Sequence, residues 1–346
     1  MKKLFCVFLV LTMLFTFTAC GGDKGTTEPD GEKAPAAEGE APQEQVVLKL
    51  GHCYAESSHL HKAAVLAKER LEELSGGTMS IDIHPNSILG SENEMTEMVR
   101  MNTLDMHISA DFYFQGDYPQ AVLEELGFLF DSAQSWYDAM DGELGAVMQE
   151  NVLGPAGVKA LGWWSVGMRQ MTNNVRPIVE PIDVKGVKFR TANSVMRIKM
   201  FECFGGSAVA INFNELFTAL QQGTVDGQEG PLSVNKDSSF DQVQKYCSMT
   251  GHIHTGCPVI INSSVYDGLT AEQQGWLNDA MAEATTYERE LADQLEKELR
   301  AYFEGTMEVN DVNHEAFLEA VQPVYDLYAE EYGPREWIDL AQSYNG

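Results

Sequence analysis

Arg190 closes the run GVKFR, a Gly-led stretch that reads as a short strand carrying a guanidinium at its end. Facing a cleft, that group is a rigid fork of donors matched to a carboxylate; facing solvent, it is an ordinary surface cation. Arg169, in Gly167-Met168-Arg169-Gln170, is a second cation set in a strand-like context. Asn212, Gln228 and Glu229 stand at neighbouring strand ends, in VAINFNELFTALQQG and TVDGQEGP. Cys247, His252, His254 and Cys257 share one segment, but their spacing fits no standard zinc module, so no metal is assigned. His59 and His61 fall in a helical pattern without nameable partners and read as solvated. Trp163 and Trp164 lie in a strand, where tryptophan is usually core; Trp164 is kept as a cleft candidate. GxSxG, HExxH, a Walker loop and GxGxxG are all missing, and nothing pairs a nucleophile with a base. No catalytic residue and no cofactor is therefore assigned, and the chain reads as a binder and not as an enzyme. A carboxylate hydrolase stays open only because acids are plentiful.

The elements that must position these groups follow an α/β pattern. VVLKLGH (46–52) reads as a strand, Ser57 to Leu74 as a helix, and MSIDIHP as a second, alternating strand. Ser91 with Glu94 three residues on is a capping box opening a helix over 91–101, and LDMHIS (104–109) is a third strand. Such a β-α-β-α-β run is half of a doubly wound domain, with its ligand at the strand ends. Loops there carry His52, Tyr54, Asp111 and Tyr113. A helical stretch over 132–151 leads into VKALGWW, another strand, and Gly167 to Gln170 reads as a crossover into a second domain. INF reads as a short strand and NELFTALQQG as a helix with Asn214 as N-cap. CPVIINSSVY returns as an apolar strand to the first domain, so two strand crossings imply a hinge. Thr270 to Phe303 carries one apolar stripe, a helix of about 50 Å at about 1.5 Å per residue.

Composition bounds the class. The 346 residues hold 23 Lys and Arg against 52 Asp and Glu, a net charge of −29, which argues against nucleic acid as a partner. Lys2 and Lys3 precede an apolar run from Leu4 to Phe17, and Thr18-Ala19-Cys20-Gly21 reads as a lipoprotein cleavage box. This predicts a signal peptide over 1–19, a lipid on Cys20 and an extracytoplasmic protein tethered to the cell membrane. Residues 21–45, rich in Gly, Pro, Glu and Ala, read as an acidic linker. Cys53, Cys203, Cys247 and Cys257 then remain, and their irregular spacing suggests free buried thiols.

PIDVKGVKFR followed by NELFTALQQGTVDGQE resembles the central signature of the DctP-type solute receptors of TRAP (tripartite ATP-independent periplasmic) transporters. LKLGHCYAESSHLHKAAVLAKERLEELSGG, HPNSILGSENEMTEMVRMNTLDM and WWSVGMRQMTNNVRPI resemble that family's blocks in the same order, so the likeness covers roughly residues 46 to 300. It implies a two-lobe, periplasmic-binding-protein-like clamshell with the long helix spanning both lobes. Lobe I is then 46–168 with 256–290, and lobe II is 169–255 with 291–346. It further implies that Arg190 makes the salt bridge to a ligand carboxylate, that Arg169 is a second polar contact, and that Phe213 packs on the ligand. The implied ligand is a small organic-acid anion: a C4-dicarboxylate, a keto or hydroxy acid, or an aromatic or sugar acid. The implied partners are a small four-helix membrane subunit and a large permease subunit, with an ABC importer or a sensor kinase as the alternative. Two departures stand out. Gly230 replaces an asparagine of many members, and Ala110 with Tyr113 replace the carboxylate–arginine pair of sialic-acid receptors, so Asp111, Tyr113 and Phe114 suggest an aromatic wall with one acid.

Overall fold

The computed structural model describes residues 45–346. The signal peptide, Cys20 and nearly all of the linker lie outside the described residues. The chain opens with strand β1 (Val46–Gly51), helix α1 (His59–Leu74), β2 (Met79–His84), α2 (Glu92–Arg100) and β3 (Met106–Ile108), as the alternation of the sequence predicts. Ser58 caps α1 through the His61 amide, and the Ser91–Glu94 capping box opens α2 with both reciprocal bonds in place. Two 3-10 turns, Asp111–Phe114 and Pro119–Glu125, lead to α3 (Ala133–Asp141) and α4 (Glu143–Met148), which split the predicted 132–151 helix at Gly142.

Strand β4 (Val158–Asn173) is the axis of the molecule. It runs antiparallel to β9 (His254–Asn262) as far as Met168 and to β7 (Gly227–Pro231) from Arg169 onward. The stretch from Gly167 to Gln170, read from sequence as a crossover, lies inside this strand. β4 is one continuous strand that exchanges partners, kinked by a register shift between Ser165 and Gly167, where Gly167 takes a φ of +111°.

Between these strands lie β5 (Lys188–Thr191), α5 (Val195–Cys203), β6 (Ser207–Ala210) and α6 (Phe213–Gln221). Three expectations shift here. The short strand is β6, ahead of INF; Asn212 and not Asn214 occupies the N-cap position of α6; and α5 fills a stretch to which no helix had been assigned. After β7 come α7 (Leu232–Asp237), β8 (Tyr246–Met249), β9, α8 (Ser263–Gly268), α9 (Ala271–Thr306) and β10 (Glu308–Asp311). Three short helices close the chain: α10 (His314–Ala320), α11 (Gln322–Glu331) and α12 (Arg335–Gln342).

The strand order is β2-β1-β3-β9-β4-β7-β5-β6, with β8 pairing β4 and β10 pairing β8. α9, 36 residues and about 54 Å long, lies along α1, β4 and α7. Its contacts bury Leu277, Ala280, Met281 and Ala284 at one end and Leu299 and Phe303 at the other. No described helix is long and apolar enough to cross a membrane.

Candidate functional site

Where β4 changes partner, the strand ends and the turns after β1 and β3 surround a cavity of about 50 Å³. At roughly 10–15 Å³ per water that is room for a few waters. Arg190 and Phe213 reach it from β5 and the first residue of α6, and Gln228 and Glu229 from β7. Arg169 comes from β4, Tyr54 from the loop after β1, and Tyr113 from the first 3-10 turn. Seven of the ten ligand-contact candidates thus meet in one place.

The other three do not. Asn212 is exposed on the outer side of the α6 N-terminus. Asp111 is buried beside Glu124 and is not among the residues that line the cavity. Trp164 is fully buried beneath α9, where its indole Nε1 donates to Thr285 Oγ1 at 2.9 Å. All three are corrected out of the site. The histidine reading changes too: His59 is buried, with Nε2 2.9 Å from the Ser165 carbonyl and 3.3 Å from Glu288. The Cys247–Cys257 segment is dispersed by its fold. Cys247 packs with Leu232, Leu299 and Phe303, Cys257 packs in the core beside α1, and His254 lies against the Trp136 ring. Cys53, Cys203, Cys247 and Cys257 are free, Cys203 being half-buried.

Three arginines converge on the cavity, and their partners separate their roles. Arg169 grips Glu229 through Nε and through Nη2 at 3.0 Å, and its Nη1 donates to Thr255 Oγ1 at 3.2 Å. Arg197, on α5, pairs with Glu125 and reaches Glu229 at 3.3 Å. Glu229 also accepts from Thr191 Oγ1 at 3.1 Å and stands 3.2 Å from His252 Nε2. Burial alone would raise the Glu229 pKa, but Arg169 and Arg197 overcome that and hold it well below the usual carboxylate range. Arg197 shows the converse: burial opposes its charge, and Glu125 and Glu229 push its pKa up regardless.

Arg190 is different. It is 3% exposed, its Nε donates to the Ile211 carbonyl at 2.8 Å, and among the described residues its two Nη groups donate to nothing. No carboxylate lies within 4.0 Å of it, alone among the buried arginines described. Burial pushes its pKa down to about 10, although Glu229 pulls the other way.

Glu92, the first residue of α2, also lines the cavity and was not found from sequence, where it read only as part of a first helical turn. Its Oε2 accepts from Tyr113 Oη at 2.8 Å, and the Cys53 thiol lies against it. Burial first, and the Glu92 charge next, push the Cys53 and Tyr113 pKa values well up. Val166, Ala192 and Val234 supply apolar wall. Two contacts bridge the mouth: Ser57 Oγ donates to Asp237 Oδ1 at 2.9 Å, and Gln115 joins the Asn193 carbonyl at 2.5 Å to the Val195 amide at 3.2 Å.

Residues 50–331 match the model of the family described as bacterial extracellular solute-binding protein, family 7 (DctP). The chain is similar to the 2,3-diketo-L-gulonate-binding periplasmic protein of Escherichia coli K12, at 33% identity over 82% of this chain and 87% of that one. Its fold matches a TRAP periplasmic solute-binding protein of Polaromonas sp. JS666 bound to D-erythronate, with a TM-score of 0.82 and 32% identity over 86% of this chain and 99% of the other. A TRAP solute-binding protein of Sulfurospirillum deleyianum with bound succinate matches at a TM-score of 0.82 and 26% identity, over 87% of this chain and 99% of that one.

Proposed function

Because the chain belongs to the DctP family of bacterial extracellular solute-binding proteins, which serve TRAP transporters, we propose that it is an extracytoplasmic receptor for a small carboxylate-bearing organic acid. It would be held to the membrane by a lipid on Cys20 and deliver its ligand to the small and large TRAP membrane subunits. The observation that carries the reading is Arg190: a buried guanidinium with both Nη groups unspent, opening on a cavity. A carboxylate is the group that satisfies such a fork in charge and in geometry. Arg169 and Arg197 have spent most of their donors on Glu229 and Glu125, so they frame the anchor and do not replace it. That relatives of this chain bind D-erythronate and succinate supports an acid of this size.

Lobe I over 46–168 with 256–290 and lobe II over 169–255 with 291–346 would part about β4 and β9, where pairing changes at Met168 and Arg169. A cavity of about 50 Å³ must widen to admit an acid, so binding is coupled to hinge motion. Ligand would shift that equilibrium only through contacts made better in the closed form.

The test is a thermal-shift screen of organic acids on refolded, ligand-stripped protein, followed by calorimetry on variants. Wild type binds one acid stoichiometrically and without turnover. Arg190→Ala loses roughly 2–5 kcal/mol, a drop of about 30- to 5,000-fold, and Arg190→Lys recovers little. Near-native affinity in folded Arg190→Ala would move the anchor elsewhere, and steady product formation would make the protein an enzyme. For the membrane tether, Cys20→Ala should leave the membrane fraction; unchanged retention would remove the lipid assignment.

A further inference from the structure

The groups facing the cavity fall into two chemical sets. Among the described residues, Arg190 is the one cation there with no carboxylate partner and with both Nη groups undonated. Against it stand two acceptors. Glu92 receives the Tyr113 hydroxyl on Oε2 and has the Cys53 thiol against its carboxylate, and no other described side chain donates to it. It acts electrostatically on Arg190 but is not in ion-pair contact with it, so the two face one cavity across a gap. Gln228 is the second. The Gly230 carbonyl can only accept, so Asn235 must turn its Nδ2 toward it, at 3.2 Å. Asn235 Oδ1 then faces Gln228 and receives its Nε2 at 2.9 Å, and that nitrogen also donates to Thr172 Oγ1 at 3.0 Å. Gln228 Oε1 is the atom left over, with no described donor. A side-chain carbon on Gly230 would sit 2.9 Å from that oxygen, so the glycine keeps it clear.

A cation at one end and bare acceptors elsewhere require a ligand with one carboxylate and several hydroxyl donors. We propose that the ligand is a polyhydroxy monocarboxylate, with its carboxylate on Arg190 and hydroxyls on Glu92 and Gln228, and that Glu92 rejects acids carrying a second carboxylate. This rests on the receptor reading above and narrows it. A terminal hydroxyl donates to Glu92 and completes its acceptor set, whereas a terminal carboxylate sets a like charge against the Glu92 carboxylate. Tyr113 is a positioning residue, since its hydroxyl holds the Glu92 carboxylate against the wall. The Val166, Ala192 and Val234 walls carry no donors and suit the C–H faces of such a chain.

Matched acids isolate the second carboxylate. Threonate and tartrate, like erythronate and meso-tartrate, share a four-carbon chain and differ only in a terminal hydroxymethyl or carboxylate. Gluconate and glucarate are the six-carbon pair. Calorimetry on ligand-stripped wild type should show a monocarboxylate binding at least about 30-fold tighter than its dicarboxylate twin, the scale of an uncompensated like-charge contact. Glu92→Gln, isosteric and uncharged, should weaken the monocarboxylate about tenfold and cut the ratio to about threefold or less. Tyr113→Phe should reduce the ratio in the same direction by less. Serine and threonine, whose ammonium would also suit a carboxylate, complete the panel. Equal or tighter binding of a dicarboxylate or an amino acid by wild type overturns the inference, and so does a ratio unmoved by Glu92→Gln. If the panel fails while another organic acid binds through Arg190, the ligand class is wrong and the receptor reading stands. If no acid binds at all, both fall together.

Discussion

Arg190 and Arg197 are both buried, both line the cavity, and should respond to mutation in opposite ways. Arg197 sits between Glu125 and Glu229, so its removal strands the buried Glu125 and takes one of two arginines from Glu229. Losing one partner of a buried pair costs about 3–5 kcal/mol. Arg190 has no carboxylate in contact, and burial lowers its pKa from 12.5 to about 10. A cation with a depressed folded pKa is a cost to the folded state at every pH below about 10, relieved only as the pH climbs toward the unfolded value. At about 1.36 kcal/mol per unit that cost is on the order of 3 kcal/mol, and a bound carboxylate removes it. In denaturant melts at pH 8 without added acid, Arg190→Met should therefore match or exceed wild type, while Arg197→Met falls well below it. Arg190→Met melting several kcal/mol below wild type would make Arg190 a structural residue, whatever its exposure to the cavity.

Elements decide the fate of Asp111, which the sequence placed in the cleft. The turns Asp111–Phe114 and Pro119–Glu125 press Asp111, Glu124 and Glu125 together against α3, α5 and β9. Glu124 accepts from Trp136 Nε1 at 2.6 Å, Glu125 takes Arg197, and Gly256 leaves no space for a side chain beside them. Burial, the largest cause for each, pushes the pKa of Asp111 well up and that of Glu124 to about 7. A carboxyl with a raised folded pKa contributes stability that is full below the unfolded value near 4.5 and is lost as the pH rises through about 7. Glu124→Gln imitates the protonated form and keeps the Trp136 contact. Its melting temperature should match wild type near pH 5 and exceed it at pH 8, the gap growing by up to about 1.4 kcal/mol per unit. A constant gap across that range would mean the pair does not titrate there.

The same elements explain what the sequence could tell. β1, α1, β2 and α2 were legible because strand alternation, Ser58 and the Ser91–Glu94 box are local signals. The place of Arg190 on the cavity wall was legible because a motif ends on it. Trp164 was misplaced because β4 carries register shifts near Ala160 and Ser165, and each reverses the face on which later residues fall. α5 escaped because its buried residues, Met196, Arg197, Met200 and Phe201, include an arginine and give only a weak apolar stripe. Glu92 escaped because an acid in a first helical turn already has a local reason to be there. Only the long-range pairing of β1 with β3, and of β3 with β9, brings that turn to the cavity.

Across the whole molecule, charge opposes the ligand. Leaving out the two lysines of the leader and the seven acids and two lysines of residues 21–45, the remaining residues carry −26 of the −29 total. The cavity does not offset this. Its lining counts Arg169, Arg190 and Arg197 against Glu92 and Glu229, and Glu125, outside the lining, pairs with Arg197, so the group as a whole carries no net formal charge. The mouth adds Asp237, bridged to Ser57. An incoming anion therefore meets net repulsion until it is close enough for the Arg190 fork to act, the reverse of electrostatic steering. Screening should help it. The Debye length falls from about 30 Å at 0.01 M salt to about 10 Å at 0.1 M, so repulsion from distant surface acids fades first. The contact to Arg190 is desolvated and is screened far less. In stopped-flow measurements with the acid found by screening, the association rate constant should rise several-fold from about 0.01 to 0.1 M salt, while the dissociation rate constant changes little. An association rate that falls with salt would show a local positive field outweighing the net charge. The acids at the mouth would then have to be turned away from the path the ligand takes.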